Sequence, residues 1–220
     1  MNTLASPPLS ALLAQLFADA DASDARLRDE LAKLSDDERA KLMSPSADYR
    51  AFYSRAKDFH LAISRETGTL LYLLARTNRA RSIVEFGTSF GISTLHLAAA
   101  LRDNGGGRLV TTEFEPSKAA QAREHFARSG LADLIEIREG DALDTLARAL
   151  PDTIDLVLLD GAKPLYGDVL ALLEPRLRTG ALVVADNADW SPAYLERVRG
   201  PQSRYVSVPF AADVELSMKL

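Results

Sequence analysis

The sequence predicts an α/β fold in which a doubly wound, mostly parallel sheet is combined with an N-terminal helical cap. After about residue 80, short strand-like runs alternate with longer amphipathic stretches, the pattern of consecutive strand–helix–strand units. The fourth and fifth runs are apolar on both faces, as strands must be when helices cover both sides of a parallel sheet. The residues before position 80 contain only helical patterns, which predict the cap.

Seven runs predict the strands of this sheet. They cover residues 82–86, 108–114, 134–138, 154–160, 181–186, 204–210 and 214–220. Helical connections between parallel strands are predicted over 93–102, 116–128, 142–150 and 165–177. Only residues 211–213 separate the last two runs, which is too short for a parallel crossover, so these strands are predicted to form an antiparallel hairpin.

The N-terminal region is predicted to contain five helices. They cover residues 9–20, 25–34, 36–43, 48–64 and 67–77. A chain of 220 residues with 47% apolar content is long enough to build one large core. We therefore expect a single domain over residues 1–220, with the helical cap over 1–65 and the sheet core over 66–220.

The composition excludes several classes of site. The chain has no cysteine, which excludes disulfides, thiolate zinc sites, iron–sulfur clusters and a cysteine nucleophile. Its three histidines lie far apart, so no helical histidine pair can bind zinc, and any metal must be held mainly by oxygen. The formal net charge of −5, without a long basic run, argues against a nucleic-acid partner.

The chain also lacks the signs of a membrane protein. No apolar run approaches the roughly 18 residues that a membrane-spanning helix needs. Residues 9–22 have some character of a secretion signal, but the first basic residue is Arg26, so we interpret this stretch as a helix. The expectation is a cytoplasmic protein whose partners are small molecules.

The first predicted strand runs into a glycine-containing turn that opens a helix, with the pattern E-x-G-x-x-x-G-x-S from Glu85 to Ser93. Gly87 and Gly91 remove side chains where the backbone turns and approaches a ligand. Ser89 or Ser93 can cap the helix or bind an anion beside its N-terminal N–H groups. The dinucleotide fingerprint G-x-G-x-x-G is absent because position 89 is serine, which argues against NAD.

Two further acidic residues stand at predicted strand ends. Glu113 ends the second strand, where a carboxylate in a doubly wound sheet can bind both hydroxyls of a ribose. Asp141 follows the third strand and can accept a hydrogen bond from the amino group of an adenine. Either residue can instead be a helix cap. As an ordered set with the turn after the first strand, they predict a nucleoside pocket.

The ends of the fourth and fifth strands carry the residues with the strongest chemical signal. Asp160 ends the fourth strand, and Asp186 and Asn187 end the fifth. Because parallel strand ends meet at one edge of a sheet, these three oxygen ligands can converge on one cation, and the set suits magnesium. Lys163 would be shifted there toward its neutral, basic form, and the cation would activate an alcohol or phenol. The alternative is that these residues form a turn and a loop cap.

The other candidate side chains carry weaker signals. They are the histidines His60, His96 and His125, the aromatic residues Tyr166 and Trp190, and the aromatic set Tyr49, Phe52, Tyr53 and Phe59. The histidines lie on predicted helices and receive no role. Tyr166 and Trp190 fit either the core or a pocket wall. The aromatic set has near-helical spacing, which favours a core stripe of the cap helix over an aromatic stacking site, and part of the set can still face the acceptor.

Taken together, these residues resemble the cation-dependent O-methyltransferases, the S-adenosylmethionine-dependent family that includes catechol and caffeoyl-CoA O-methyltransferases. The resemblance extends from about Asp48 to the C-terminus. Its markers are Glu66-Thr67-Gly68, the turn from Glu85 to Ser93, Asp160-x-x-Lys163 and Asp186-Asn187. The resemblance implies a Rossmann-like, doubly wound seven-stranded sheet with strand order 3-2-1-4-5-7-6, the last strand antiparallel.

The resemblance also implies a set of residues that bind S-adenosylmethionine. They are Ile63, Glu85, Gly87, Ser89, Ser93, Glu113, Asp141, Ala142 and Asp160. Within this set, Glu85, Gly87 and Ser93 would surround the methionyl end, and Ile63 would close over the sulfonium. Glu113 would bind the ribose, and Asp141 with Ala142 would bind the adenine.

For the reaction itself, the resemblance implies a second set. Asp160, Asp186 and Asn187 would hold a divalent cation, Mg²⁺ first, with Ca²⁺ or Mn²⁺ as alternatives. Lys163 would be the general base that takes the proton of a hydroxyl on a small-molecule acceptor. Family members are often dimers through their N-terminal helices, so a homodimer is expected here too.

Three departures from the family pattern concern the base and the acceptor. Ala162 stands where the family has a second acid, and no aromatic residue there can stack on adenine. The segment after Asn187 is short, and the C-terminus lacks the acceptor-contacting tail of the catechol enzymes. The identity of the acceptor therefore does not transfer. A non-catalytic or metal-independent S-adenosylmethionine-binding protein, and an NAD-dependent oxidoreductase, are the alternatives.

Overall fold

A computed structural model of the chain describes residues 2–33, 35, 49–210 and 213–220. The helix expected over residues 36–43 lies outside these ranges. Within them, no helix is both long enough and apolar enough to cross a membrane.

The sheet has seven strands in the order β3-β2-β1-β4-β5-β7-β6. The strands are β1 Ser82–Phe86, β2 Arg108–Glu113, β3 Ile135–Glu139, β4 Ile154–Leu159, β5 Leu177–Ala185, β6 Tyr205–Phe210 and β7 Val214–Lys219. The first five pair in parallel, and β7 lies antiparallel between β5 and β6. The Rossmann-like fold, the strand order and the terminal hairpin are thus confirmed.

Eight α-helices are found in the described ranges. They are α1 Leu9–Leu31, α2 Tyr49–Arg55, α3 Arg65–Thr77, α4 Ile92–Asp103, α5 Pro116–Ser129, α6 Ala142–Thr145, α7 Tyr166–Leu173 and α8 Pro192–Arg199. Residues of α1, α3, α4 and α5 form one core with one face of the sheet, and residues of α6, α7 and α8 form a second core on the other face. Successive side chains of β1 point to opposite faces of the sheet, so Ile83 belongs to the first core and Val84 to the second.

Several predicted boundaries are wrong. The two helices expected over 9–20 and 25–34 are one continuous helix, α1. The helix expected over 142–150 ends at Thr145, and the carbonyls of Thr145, Arg148 and Ala149 accept hydrogen bonds from Arg138. The helix expected over 165–177 ends at Leu173, just before Pro175, which lacks the N–H needed to continue it. Helix α8 was not predicted.

The largest difference lies just before α3. The helix expected over 48–64 ends at Arg55, and the residues that follow it are not helical. Leu61 has a positive φ of 50°, and Ser64 caps α3 by accepting the Thr67 N–H. Residues 60–63, here called the strap, run across the carboxyl end of the sheet. His60 therefore lies in the strap and not on a helix as predicted.

Candidate active site

Two adjoining cavities open at the carboxyl ends of the parallel strands, where doubly wound sheets bind ligands. The strand-end cavity is bounded by the ends of β1 to β4 and by the strap. The outer cavity, of about 700 Å³, is bounded by the ends of β4 and β5, the strap and α1. The residues that line both cavities are Tyr49, Tyr53, Leu61, Ala62, Ile63 and Asp160. The strap and Asp160 therefore lie at the junction of the two cavities.

The structure brings the predicted site residues together in these cavities, with one exception. The strand-end cavity is lined by Ile63, Gly87, Ser89, Ser93, Glu113, Asp141, Ala142 and Asp160. The outer cavity is lined by Asp160, Lys163, Asp186 and Asn187. The exception is Glu85, which is fully buried behind the lining of the strand-end cavity.

Packing explains both glycines of the turn after β1. Gly87 has φ +103°, and a Cβ there would lie 2.4 Å from the carbonyl oxygen of Asp160. Gly91 has φ +90°, and a Cβ there would lie 2.5 Å from the ring of Phe126. A side chain at either position would be strained. These glycines therefore let the end of β1 approach β4 and α5, in addition to opening space for a ligand.

Glu85 fixes the start of α4 from behind. Its carboxylate accepts hydrogen bonds from the hydroxyls of Ser93, at 2.6 Å, and Thr94, at 2.5 Å. Burial raises the pKa of Glu85 to about 7, although these two hydroxyls oppose the shift. Glu85 thus orients Ser93 at the cavity wall and does not itself line the cavity.

Glu113 lines the strand-end cavity and fixes the backbone around it. Its two carboxylate oxygens accept the N–H groups of Ser89, at 2.7 Å, and Glu115, at 2.8 Å. Burial raises its pKa despite these bonds. A carboxylate has further lone pairs beyond these two bonds, so Glu113 can still accept from a ligand hydroxyl.

Asp141 is a helix cap, one of the two roles that the sequence left open. Its Oδ1 accepts the Leu143 N–H at 2.9 Å, at the start of α6. Its Oδ2 lies 2.5 Å from Arg50 and 3.4 Å from the hydroxyl of Tyr49, both on α2. Burial alone would raise the pKa of Asp141, but the Leu143 N–H and Arg50 outweigh it and lower the pKa. Asp141 therefore links α2 to the start of α6 at the lining of the strand-end cavity.

Lys163 is held by two neighbouring side chains, Asp160 and Tyr166. Its Nζ donates to Oδ1 of Asp160 at 3.1 Å and to the hydroxyl of Tyr166 at 2.9 Å. Tyr166 is fully buried and donates in turn to the backbone carbonyl of Asp186 at 2.7 Å. Tyr166 thus links the ends of β4 and β5 and belongs to the core, not to a pocket wall.

The charges in this cluster follow from burial and from neighbouring groups. Burial alone would lower the pKa of Lys163, but Tyr166 and Asp160 outweigh it, and the pKa is raised. The shift toward the neutral form was predicted for Lys163 beside a bound cation, and it stays a prediction. Burial raises the pKa of Asp160, and burial together with Asp160 raises the pKa of Asp186 to about 8.

The donor set at the ends of β4 and β5 fits a divalent cation. Asp186 is buried and Asp160 is nearly so, so the pair disfavours a double negative charge, and a cation bound there would offset that cost. Asn187 donates its Nδ2 to Asp213 at 3.2 Å, which leaves its Oδ1 as a ligand. No group of three or more His, Cys, Asp or Glu residues in the described ranges could hold a metal. A third protein ligand at these strand ends would therefore have to be an amide oxygen, such as Oδ1 of Asn187.

The sequence did not identify several cavity residues. Tyr49 and Tyr53 pack against the second core, as the predicted core stripe requires, and they also line both cavities. The side chain of Phe52 lies outside the described residues. His60 and Lys118 line the strand-end cavity, although neither carried a motif. Trp190 lines the outer cavity, which agrees with a pocket wall, one of the two roles predicted for it. These residues could not be identified from the sequence because they reach the cavities only through the way the chain folds around the strand ends.

The strand order and the row of acidic strand ends define the class: this is a Rossmann-like protein of the methyltransferase type. A family model described as "Methyltransferase domain" matches residues 84–188. A catechol O-methyltransferase of Niastella koreensis is 37% identical over 130 residues, covering 58% of this chain and 58% of that protein. A catechol O-methyltransferase of Mycobacterium tuberculosis is 38% identical over 127 residues, covering 58% of this chain and 57% of that protein.

Among solved structures, the O-methyltransferase TomG of Streptomyces achromogenes, in complex with S-adenosylmethionine, is 30% identical. It superposes with a TM-score of 0.64 over 85% of this chain and 91% of that chain. The chain belongs to the S-adenosylmethionine-dependent O-methyltransferase family. It spans less than two thirds of the length of the two curated relatives, at 58% and 57%.

Proposed function

We propose that the protein transfers a methyl group from S-adenosylmethionine to a hydroxyl of a small aromatic acceptor with neighbouring oxygens, with the help of a divalent cation such as Mg²⁺. The observation that carries this proposal is the pair of cavities that meet at Asp160 and the strap. A cofactor in one cavity would present its methyl group to an acceptor in the other. The names of the two curated relatives, both catechol O-methyltransferases, support the acceptor class.

The strand-end cavity would bind the cofactor, which supplies an electrophilic methyl group on sulfur. Glu113 would accept from the ribose hydroxyls, and Asp141 with Ala142 would contact the adenine. Ser93, held by Glu85, would face the methionyl end together with Gly87 and Ser89. Ile63, in the strap, would cover the sulfonium and exclude water from it.

The outer cavity would orient the acceptor. Asp160, Asp186 and Asn187 would hold the cation, which binds the acceptor oxygens and lowers the pKa of a hydroxyl. Lys163 in its neutral form would take the hydroxyl proton on its Nζ. The oxygen would attack the methyl carbon in line with sulfur, so that the O–C bond would form as the C–S bond breaks and S-adenosylhomocysteine leaves. Trp190 would form one wall of the acceptor site. A cytoplasmic location and a homodimer stay predictions from the sequence.

The direct test is transfer of a labelled methyl group from S-adenosylmethionine to catechol and to phenol, with Mg²⁺ and after removal of metal by a chelator. We expect catechol to be methylated with Mg²⁺ at a rate at least about a hundredfold above that of the chelated protein. Phenol should react more slowly because it offers the cation one oxygen. Equal rates with and without metal would contradict the role of the cation, and no transfer to any vicinal diol would contradict the acceptor class.

A further inference from the structure

Helix α1, which carries none of the motif residues of the two cavities, holds the strap in place. The carboxylate of Asp24, on α1, accepts the N–H of Leu61 on Oδ1 and the N–H of Ala62 on Oδ2, both at 3.1 Å. These N–H groups belong to consecutive residues, so one carboxylate binds the turn of the strap on both of its oxygens. Leu61 has φ +50°, an unfavourable conformation for a leucine that these bonds offset.

A second set of contacts fixes the start of the strap. Oγ of Ser23, the residue before Asp24, lies 2.9 Å from Nδ1 of His60. The His60 ring stacks on Phe90, with ring centroids 4.1 Å apart and planes 25° apart. The carbonyl of His60 accepts from the hydroxyl of Ser89 at 2.5 Å. The strap is thus clamped between α1 and the turn after β1.

The placement of the strap gives this clamp a functional consequence. Leu61, Ala62 and Ile63 line both cavities. A shift of their backbone would change the cover over the cofactor and the wall of the acceptor site together. Asp24 itself lines only the outer of the two cavities, and its carboxylate is bonded to the strap.

We propose that Asp24 is a positioning residue: its carboxylate holds the strap in the conformation that closes the cofactor cavity and separates it from the acceptor cavity. The inference rests on the proposed function, which assigns the two cavities to cofactor and acceptor. Asp24 acts through Leu61 and Ala62 and takes no part in the transfer of the methyl group.

The test compares Asp24→Asn with Asp29→Asn, the same change at an exposed residue of the same helix. Asparagine keeps the shape of aspartate but has one accepting oxygen, so an NH₂ group would face a backbone N–H. We expect Asp24→Asn to weaken the affinity for S-adenosylhomocysteine about tenfold, since a bond to a charged group is lost. The KM for S-adenosylmethionine should rise by a similar factor, while kcat at saturation changes less than about threefold because bound cofactor restores the strap.

Hydrogen exchange at the amides of Leu61 and Ala62 supplies a readout that a general loss of stability would not mimic. It should be faster in Asp24→Asn and unchanged in Asp29→Asn, measured beside the thermal midpoint of each variant. Wild-type affinity in Asp24→Asn would overturn the proposal, and so would weaker affinity without faster exchange at these two amides. If the wild type bound no S-adenosylhomocysteine, the proposed function would fail instead, and the exchange rates would still test the clamp.

Discussion

Lys163→Met should lower kcat about a thousandfold, the range that removal of a general base produces, while the affinity for S-adenosylhomocysteine stays within about threefold. The Nζ of Lys163 lies beside Asp160 at the junction of the two cavities, where an acceptor hydroxyl would lose its proton. The side chain does not line the strand-end cavity, so cofactor binding should persist. Calorimetric titration and single-turnover rates measure the two quantities separately.

Lys163→Arg is the matched control for this experiment. Arginine preserves the positive charge beside Asp160 but does not release its proton at ordinary pH. Because the pKa of Lys163 is raised, its neutral fraction grows as pH rises, and kcat of the wild type should rise through the alkaline range. The arginine variant should lose both the activity and this rise. Retention of wild-type kcat in Lys163→Arg would show that charge, and not proton transfer, is the contribution of this residue.

Gly87→Ala should destabilise the protein by about 3 kcal/mol or more, the range of backbone strain combined with a steric clash. The new Cβ would lie 2.4 Å from the Asp160 carbonyl at φ +103°. To relieve this clash, β1 and β4 would have to move apart at their carboxyl ends, beside the two cavities. Denaturant unfolding measures the change, and the loss should be accompanied by weaker binding of S-adenosylhomocysteine.

Gly167→Ala gives the comparison for this substitution. Gly167 lies in α7, and a Cβ there meets nothing within 4 Å. Alanine favours the helix, so this variant should be unchanged or up to about 1 kcal/mol more stable. Similar losses in the two variants would contradict the assignment of strain to the turn after β1.

The sheet could be predicted from the sequence because its signal is local. The two central strands β4 and β5 are runs of apolar residues, and three residues between β6 and β7 allow only a hairpin. The boundaries of a strand are harder to predict where pairing with a neighbouring strand determines them. Strand β5 begins at Leu177 because a shift in register lets Leu177 pair with Ile154 while Leu182 pairs with Leu156.

The positions of the site residues could be predicted for the same reason, since parallel strand ends meet at one edge. Glu113 ends β2, Asp160 and Asp186 follow β4 and β5, and all three line the cavities as expected. The strap could not be predicted, because its conformation depends on bonds to Asp24, which is distant in sequence. The spacing of the aromatic residues before the strap, which include Tyr49 and Tyr53, predicted a longer helix than the structure has.

The charge state of Lys163 without a cation could not be predicted from the sequence because it depends on packing. The sequence places Tyr166 three residues after Lys163 but does not reveal that its hydroxyl accepts from Nζ in a buried site. Burial and partners act in opposite directions on a lysine, so the sign of the pKa shift follows only from the contacts.

The measurement that tests the cofactor site most directly is calorimetric titration of the wild type and of Glu113→Ala with S-adenosylhomocysteine, with NAD as the control ligand. We expect micromolar binding to the wild type, a loss of more than about tenfold in Glu113→Ala, where bonds to the ribose hydroxyls disappear, and no binding of NAD. Binding of NAD without binding of S-adenosylhomocysteine would contradict the account and favour an oxidoreductase.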